Sequence, residues 1–371
     1  MATELLVATR KGLFTFRRAG KGSWRAAAPD FLAAPVTMVL QDPRDGAVYA
    51  GLDHGHFGVK VHRRDGRRWK EITAPAMPPA GKRKGKPVLE KDGFGRPWPR
   101  KLKLIWSLEI DPAWPGALWC GTIPGALFHS VDRGASWTWV ESLWQQKGRR
   151  KWFGGGYDTP GIHSICVDPR DARRVHVGVS CGGVWRTDDG GGRWRNVAHG
   201  MQATFVPGKK GLDPDIQDPH RVVQCAAAPD QLWSQHHCGI FKTGSDGRWR
   251  EIKAKAPSRF GFACAVHPQD PDCAWFVPAQ KDECRVPVDG RLVVTRTRDG
   301  GRTLEVLHKG LPQQGVYDLV YRHGLDVSAD GRQLAMGSTT GGLWVSEDGG
   351  KAWSELSAHL PPVYAVRFAS A

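Results

Sequence analysis

Six of the fourteen histidines lie at predicted strand ends and loops on one face of the molecule. They are His54, His56, His163, His220, His236 and His237. Imidazoles that converge from several strand ends are typical ligands of Zn, Mn, Cu or Fe, with a carboxylate or water completing the shell. The sequence therefore predicts a divalent metal that polarises a substrate oxygen or lowers the pKa of a bound water. No organic cofactor is expected.

Other polar side chains on the same predicted face suit acid–base catalysis and anion binding. The candidate catalytic groups are His163, Tyr157, His237, Asp318 and Glu109. Tyrosine and histidine form a serviceable acid–base pair when a neighbouring cation lowers the pKa of the phenol. The candidate substrate-binding groups are Arg10, Arg221, Lys281, Trp106 and Tyr317.

The histidine prediction depends on convergence, because a single loop histidine is more often a hydrogen-bonded spacer or a solvated group. His236 and His237 are adjacent in a predicted strand, so their side chains point to opposite faces. We therefore expect one of these two to line the site.

The strands that position these residues are linked by a short motif that occurs in seven versions. Residues 346–353 read SEDGGKAW, and residues 130–137 read SVDRGASW. The aspartate caps the turn, glycine supplies a positive φ, and tryptophan begins the next strand by packing into the core. Repeats at this spacing indicate a radial or stacked array.

These repeats resemble the Asp-box, or bacterial neuraminidase repeat, S-x-D-x-G-x-x-W. The resemblance covers nearly the whole chain and implies a β-propeller of the sialidase-like, sortilin-like or photosystem-assembly-factor-like kind, within the broader WD40/YVTN-type group. Propellers host unrelated chemistries, so the resemblance implies little about function. A sialidase-like glycoside hydrolase is disfavoured, because sialidases have six blades, an Arg-Ile-Pro motif and an arginine triad that this sequence does not match.

Counting strands predicts an all-β, seven-bladed β-propeller with four antiparallel strands in each blade. The predicted first strands are residues 36–41, 104–110, 161–167, 221–227, 260–266, 316–321 and 363–368. The last has no strands after it, whereas the N-terminus offers three strands with no first strand. We therefore expect the C-terminal strand to complete the N-terminal blade, which removes exposed sheet edges. The whole of residues 1–371 is then one propeller domain.

Most of the formal net charge of +16 lies in two segments outside the repeat. Residues 82–103 contain nine Lys/Arg and two acidic residues, a net of +7, and residues 145–151 contain four Lys/Arg. They belong to predicted insertions 73–103 and 142–160, which with 199–220 connect successive blades on one face. A basic surplus favours nucleic acid, an acidic protein or a small anion as partner, although it also simply solubilises loops.

The remaining composition favours a cytoplasmic protein. No apolar run reaches the roughly 18 residues that a membrane helix needs. A predicted strand at residues 5–9 leaves no room for a signal peptide, and the eight cysteines contain no CxxC pair. We interpret the chain as a metal-dependent hydrolase or lyase for a small polar or anionic, carbohydrate-like substrate. The alternative is a non-catalytic scaffold that binds an acidic protein or nucleic acid through the basic loops.

Overall fold

The computed structural model describes residues 2–83, 86–87, 90–154 and 157–369. Its strands form a seven-bladed β-propeller in which each blade is a four-stranded antiparallel sheet, as predicted. The chain divides into two compact units, Met1–Ala50 with His220–Ala371, and Gly51–Pro219. None of the helices in the described ranges has the length and hydropathy needed to span a bilayer.

The blades are numbered along the chain. Blade 1 contains β1 (Glu4–Thr9), β2 (Gly12–Arg17), β3 (Arg25–Ala26) and the C-terminal β30 (Val363–Ala369). Blade 2 contains β4 (Val36–Gln41), β5 (Val48–Asp53), β6 (Val59–Asp65) and β7 (Arg68–Ile72). The short strands β8 (Lys82–Arg83) and β9 (Lys86–Pro87) pair with each other. Blade 3 contains β10 (Leu104–Ile110), β11 (Leu118–Ile123), β12 (Leu127–Ser130) and β13 (Thr138–Trp139).

The remaining four blades repeat the same order of neighbouring strands. Blade 4 contains β14 (Ile162–Val167), β15 (Val175–Val179), β16 (Gly183–Thr187) and β17 (Arg195–Asn196). Blade 5 contains β18 (Pro219–Cys225), β19 (Ala228–His236), β20 (Gly239–Thr243) and β21 (Trp249–Glu251). Blade 6 contains β22 (Gly261–His267), β23 (Asp270–Pro278), β24 (Val294–Thr297) and β25 (Glu305–Leu307). Blade 7 contains β26 (Leu325–Val327), β27 (Leu334–Gly337), β28 (Leu343–Ser346) and β29 (Ser354–Ser357).

The two ends of the chain meet in blade 1, which confirms the predicted closure. Strand β30 pairs antiparallel with β1, with Leu5 opposite Phe368 and Val7 opposite Val366. Leu5, Val7 and Val366 are fully buried and pack in one apolar cluster with Val363. The edge of β1 is therefore covered by the last strand of the same chain.

The first strand of blade 7 differs from the prediction. Residues 316–321 form no strand, and β26 (Leu325–Val327) takes the position instead. Val316 and Val320 are buried in the core, but the N–H of Val316 donates to the Gly290 carbonyl at 3.1 Å rather than to a ladder. The apolar residues of 316–321 thus pack into the core from a loop. The hydrophobic pattern of such a short run does not distinguish a loop from a strand.

The repeated turn has the hydrogen bonds that its sequence predicts. Ser346 Oγ donates to Asp348 Oδ1 at 2.8 Å and accepts the N–H of Gly350 at 2.9 Å. Asp348 Oδ1 also accepts the N–H of Ala352 at 3.0 Å, and Trp353 Nε1 donates to the Gly350 carbonyl at 3.0 Å. Turns beginning at Ser130, Thr187 and Thr297 have the same Ser/Thr–Asp bond. The motif is therefore the turn that connects the third and fourth strands of a blade.

We expect Ser346→Ala to lower the free energy of unfolding by about 1–3 kcal/mol, because the buried N–H of Gly350 loses its acceptor. Urea unfolding measures the change. Ser346→Thr should keep the stability, since threonine occupies this position in two of the other turns. Ser354→Ala, at an exposed position of β29, is the control and should change stability by less than about 0.5 kcal/mol.

Buried His176 in β15 is expected to make stability depend on pH. Burial, followed by the charge of Arg186, lowers the pKa of His176 to about 3. The unfolded chain, in which histidine has a pKa of about 6.5, then binds the proton more readily than the folded chain. The free energy of unfolding is therefore highest above about pH 6.5 and falls as the pH decreases. Between about pH 7 and pH 5 the loss should be about 2 kcal/mol. Urea unfolding at several pH values should give a smaller change of unfolding free energy with pH for His176→Gln than for the parent chain. Equal pH dependence in the two proteins would contradict the prediction.

The three predicted insertions connect the last strand of one blade to the first strand of the next. Insertion 142–160 contains α1 (Glu141–Trp144) and a 3-10 helix (Lys147–Lys151). Insertion 199–220 contains 3-10 helices at Gly208–Leu212 and Pro214–Ile216. Insertion 73–103 contains the β8–β9 pair and extended chain. These segments therefore carry regular structure of their own.

Candidate functional site

Two of the six predicted histidines, His220 and His237, come together in blade 5. Their ring centroids lie 5.3 Å apart, with the planes at 80°. His220 stands near the start of β18, and His237 directly follows the end of β19. Because these neighbouring strands run in opposite directions, the start of one lies beside the end of the next. The two imidazoles therefore share one end of the blade.

The hydrogen bond of His220 fixes the proton on its ring. Its Nδ1 lies 2.6 Å from the carbonyl oxygen of Gly261. A carbonyl only accepts, so Nδ1 carries a proton, and in the neutral form of the ring the lone pair is on Nε2. The same arrangement orients imidazoles that ligate a metal or act as a general base.

Aromatic rings from blade 6 and the following loop surround the pair. Phe262 stacks on His220, with centroids 4.4 Å apart and planes at 12°. Phe260 stands edge-on to His220 at 5.7 Å and to His237 at 5.6 Å. Tyr321 contacts Phe262 at 4.9 Å. The rings therefore pack against both imidazoles.

Charged groups also approach the imidazoles and the rings around them. Asp282 Oδ2 lies 4.0 Å from His237 Nε2, and Arg285 hydrogen-bonds the same carboxylate. Burial lowers the pKa of Arg285, but bonds to Asp282 and Tyr321 outweigh it and raise the pKa overall. The guanidiniums of Arg285 and Arg322 each lie 5.4 Å from the Phe262 ring centroid.

We call this group the His220–His237 cluster. It comprises His220, His237, Phe260, Phe262, Asp282, Arg285, Tyr321 and Arg322. Two imidazoles, a carboxylate and two guanidiniums on an aromatic floor can hold an anionic or polar ligand and move a proton to or from it.

The other four predicted histidines have their own local neighbours. His236 is buried, accepts the N–H of Cys238 at 3.0 Å on Nδ1, and stands edge-on to Phe241, so it points away from His237. His54 lies near His62, whose pKa is lowered first by burial and also by His54. His56 is exposed and packs on Phe57 at 3.8 Å. In the described part of the unit Gly51–Pro219, no three His, Cys, Asp or Glu side chains could jointly hold a metal.

His163 belongs to a second, smaller group with Trp106 and Tyr157. The Trp106 ring lies 5.4 Å from both, edge-on in each case. His163 is fully buried, and its Nδ1 lies 2.8 Å from Ser164 Oγ, whereas Tyr157 is 45% exposed. The three predicted residues thus meet through the indole.

The remaining predicted side chains are Asp318, Glu109, Arg10, Arg221, Lys281 and Tyr317. Asp318 accepts hydrogen bonds from Ser338 Oγ at 2.6 Å and from Thr340, so it ties a loop together. Glu109 pairs with Trp119 in the β10–β11 ladder. The predicted substrate-binding groups of this set are Arg10, exposed; Arg221, buried in β18; Lys281, 3.7 Å from Glu283; and Tyr317, exposed.

The aromatic and arginine members of the cluster were absent from the predicted site. Phe260 and Phe262 stand two residues apart at the start of β22, so alternation places them on one face. That spacing was the available signal. Asp282, Arg285, Tyr321 and Arg322 come from loops, whose approach to blade 5 no local pattern encodes.

Comparison with known proteins shows similarity to other propellers. No family model matches the chain. A probable oligoxyloglucan-reducing end-specific xyloglucanase of Neosartorya fischeri is 24% identical over 285 residues, 68% of this chain and 32% of that protein. The chain thus spans about a third of the length of that relative.

Solved structures extend the likeness over more of the chain. A GH74 xyloglucanase from Xanthomonas campestris is 19% identical with a TM-score of 0.62, covering 98% of this chain and 52% of that chain. YCF48 bound to a D1 peptide is 13% identical with a TM-score of 0.50, covering 86% of this chain and 82% of that chain. At these identities the similarity supports the fold.

Proposed function

We propose that the protein is a hydrolase or lyase that acts on a small polar or anionic, carbohydrate-like substrate at the His220–His237 cluster. The observation that carries the proposal is the imidazole pair, with the proton of His220 fixed on Nδ1 by the Gly261 carbonyl. The distant likeness to xyloglucanases makes a sugar-like substrate a reasonable first class to test.

The side chains of the cluster suit separate roles. Arg285 and Arg322 would hold an anionic group of the substrate, and Phe260 would contact its apolar face. Nε2 of His220 has the lone pair to take a proton from water or from a carbon acid. His237, with Asp282 4.0 Å away, is the better placed of the two to carry a proton to a leaving group.

The same two imidazoles fit a divalent metal such as Zn, Mn, Cu or Fe. The Gly261 carbonyl orients His220 as the outer partner of a metal-ligating histidine does. A bound metal would polarise a substrate oxygen and lower the pKa of water. Asp218, two residues before His220 in the sequence, is the carboxylate to test as a further ligand.

Metal analysis and a substrate screen test the proposal. The purified protein should contain about one equivalent of metal, and chelator should lower both its thermal stability and its activity. The screen covers chromogenic glycosides, sugar lactones and sugar phosphates, and Asp218→Asn is assayed beside the parent chain. Activity without metal, together with stability that chelator does not change, would reject the metal and leave the hypothesis of acid–base catalysis by the two histidines.

The second candidate function is a scaffold that binds an acidic protein or nucleic acid through the basic insertions. The concentration of net charge in residues 82–103 and 145–151 favours it, as does the likeness to a propeller solved with a bound peptide. Binding should weaken steeply with salt and be lost when residues 82–103 are deleted. His237→Gln should leave such binding unchanged, which separates it from the enzyme hypothesis.

A further inference from the structure

A cavity of about 530 Å³ lies within the insertions of the unit Gly51–Pro219. It is lined by Glu90, Lys91, Asp92, Trp144, Gln145, Gln146, Arg149 and Arg150. We call it the insertion cavity. Apart from Trp144, its residues come from the two most basic segments of the chain, 82–103 and 145–151.

Arg149 is the buried centre of this region, at 4% exposure. Its guanidinium carbon lies 4.0 Å from the Trp144 ring centroid and 5.1 Å from that of Trp98. Its Nε donates to the Trp144 carbonyl and its Nη2 contacts Glu90. In the part of the chain that the structure describes, Nη1 of Arg149 has no acceptor although it is buried.

The surrounding residues share this excess of donors. Among the described residues, Nε of Arg100 and Nε1 of both Trp98 and Trp152 are also buried without an acceptor. These side chains are linked to Arg149 through ring contacts: Trp98 lies 6.4 Å from Trp152, and Arg100 lies 5.3 Å from Trp144. Of these donors, Arg149 Nη1 belongs to a residue that lines the insertion cavity, and a buried N–H without an acceptor costs free energy that a ligand acceptor would recover.

The two carboxylates that line the cavity already have several hydrogen-bond and ion-pair partners each. Glu90 is shared by Arg149, by Arg100 at 3.7 Å and by Trp144 Nε1 at 3.2 Å. Asp92 is already held by the backbone N–H groups of Phe94 and Arg96 and by the Arg96 side chain at 3.3 Å. Burial, followed by the charge of Arg150, lowers the pKa of Arg149 only to about 10, so Arg149 stays charged at neutral pH.

We propose that the insertion cavity binds a small anionic ligand through a phosphate or carboxylate group, with Arg149 as the central donor and Lys91 and Arg150 at its rim. The Arg149 guanidinium packs on the rings of Trp144 and Trp98, and its unpaired Nη1 can donate hydrogen bonds to such a group. The site uses none of the residues of the His220–His237 cluster, so it is independent of the proposed catalytic activity.

Isothermal titration with inorganic phosphate and, separately, with acetate tests the proposal and distinguishes the two anion chemistries. At least one should bind saturably, and Arg149→Lys should weaken binding by at least about tenfold because the fork geometry is lost. Arg150→Gln and Lys91→Gln, at exposed positions, should each weaken it severalfold without affecting the fold. Glu90→Gln should tighten binding, since it removes the carboxylate that competes for Arg149.

Lys351→Gln, exposed in a turn of blade 7, is the matched control for net charge and should bind like the parent chain. Near-ultraviolet circular dichroism checks that each variant is folded. Saturable binding that follows the predicted order supports the site. No saturable heat with either anion, or binding that Glu90→Gln weakens and Arg150→Gln leaves unchanged, overturns it.

Discussion

His237→Gln is expected to lower kcat/KM by about 10²–10⁴-fold on whichever substrate the screen identifies, because general acid–base catalysis by one side chain contributes about that much. Glutamine keeps the approximate size and polarity of imidazole, but its amide does not gain or lose a proton near neutral pH. The loss should fall mainly on kcat, since the substrate anion is assigned to Arg285 and Arg322. Steady-state kinetics measures both parameters.

Two further variants separate catalysis from structure. Arg322→Lys keeps the charge but not the guanidinium fork, so it should raise KM more than it lowers kcat. His56→Gln changes an exposed histidine outside the cluster and should leave both parameters within about twofold. A His237→Gln protein that is folded and fully active would exclude blade 5 as the catalytic site.

The blade architecture was predictable because the turn that builds it is local. A serine or threonine, an aspartate two residues on and a tryptophan seven residues on make their bonds within one turn, as Ser346, Asp348 and Trp353 do. Each repeat can therefore be recognised from the sequence alone. Pairing of β1 with β30 then followed from counting strands, because three N-terminal strands without a first strand and one spare C-terminal strand together complete one blade.

The site was only partly predictable because its members come from different blades and loops. Sequence placed His220 and His237 correctly at neighbouring strand ends, where antiparallel pairing brings them together. It gave His54 and His56 the same weight, although one lies beside His62 and the other is exposed. Residue type was the same for both pairs, and no local pattern in the sequence says which neighbours each side chain contacts.

Loops also determine the surroundings of Asp318, which the sequence predicted as a catalytic group. Its carboxylate accepts hydrogen bonds from Ser338 and Thr340. The segment around it was predicted as a strand, which would have alternated its side chains. Because residues 316–321 form a loop, the side chains there need not alternate as in a strand. Asp318 instead bonds to the loop between β27 and β28.

The largest effect on stability is expected from removing β30. Val363 and Val366 are each at most 1% exposed and pack with Leu5 and Val7, so their burial alone contributes about 3–6 kcal/mol. Six backbone pairs with β1 are lost in addition. A domain is stable by about 5–15 kcal/mol in total, so a chain that ends at Pro362 should fail to unfold cooperatively. Calorimetry and size-exclusion chromatography measure the loss.

A peptide of residues 360–371 added in trans should restore a cooperative transition, because it can form the same ladder with β1. The matched control is the same peptide with Val366→Asp, which keeps the backbone pairing but places a charge opposite Val7 in the core. Rescue by both peptides would mean that main-chain pairing, rather than apolar burial, holds blade 1 together. A truncated chain that melts like the parent would show that the edge of β1 needs no cover.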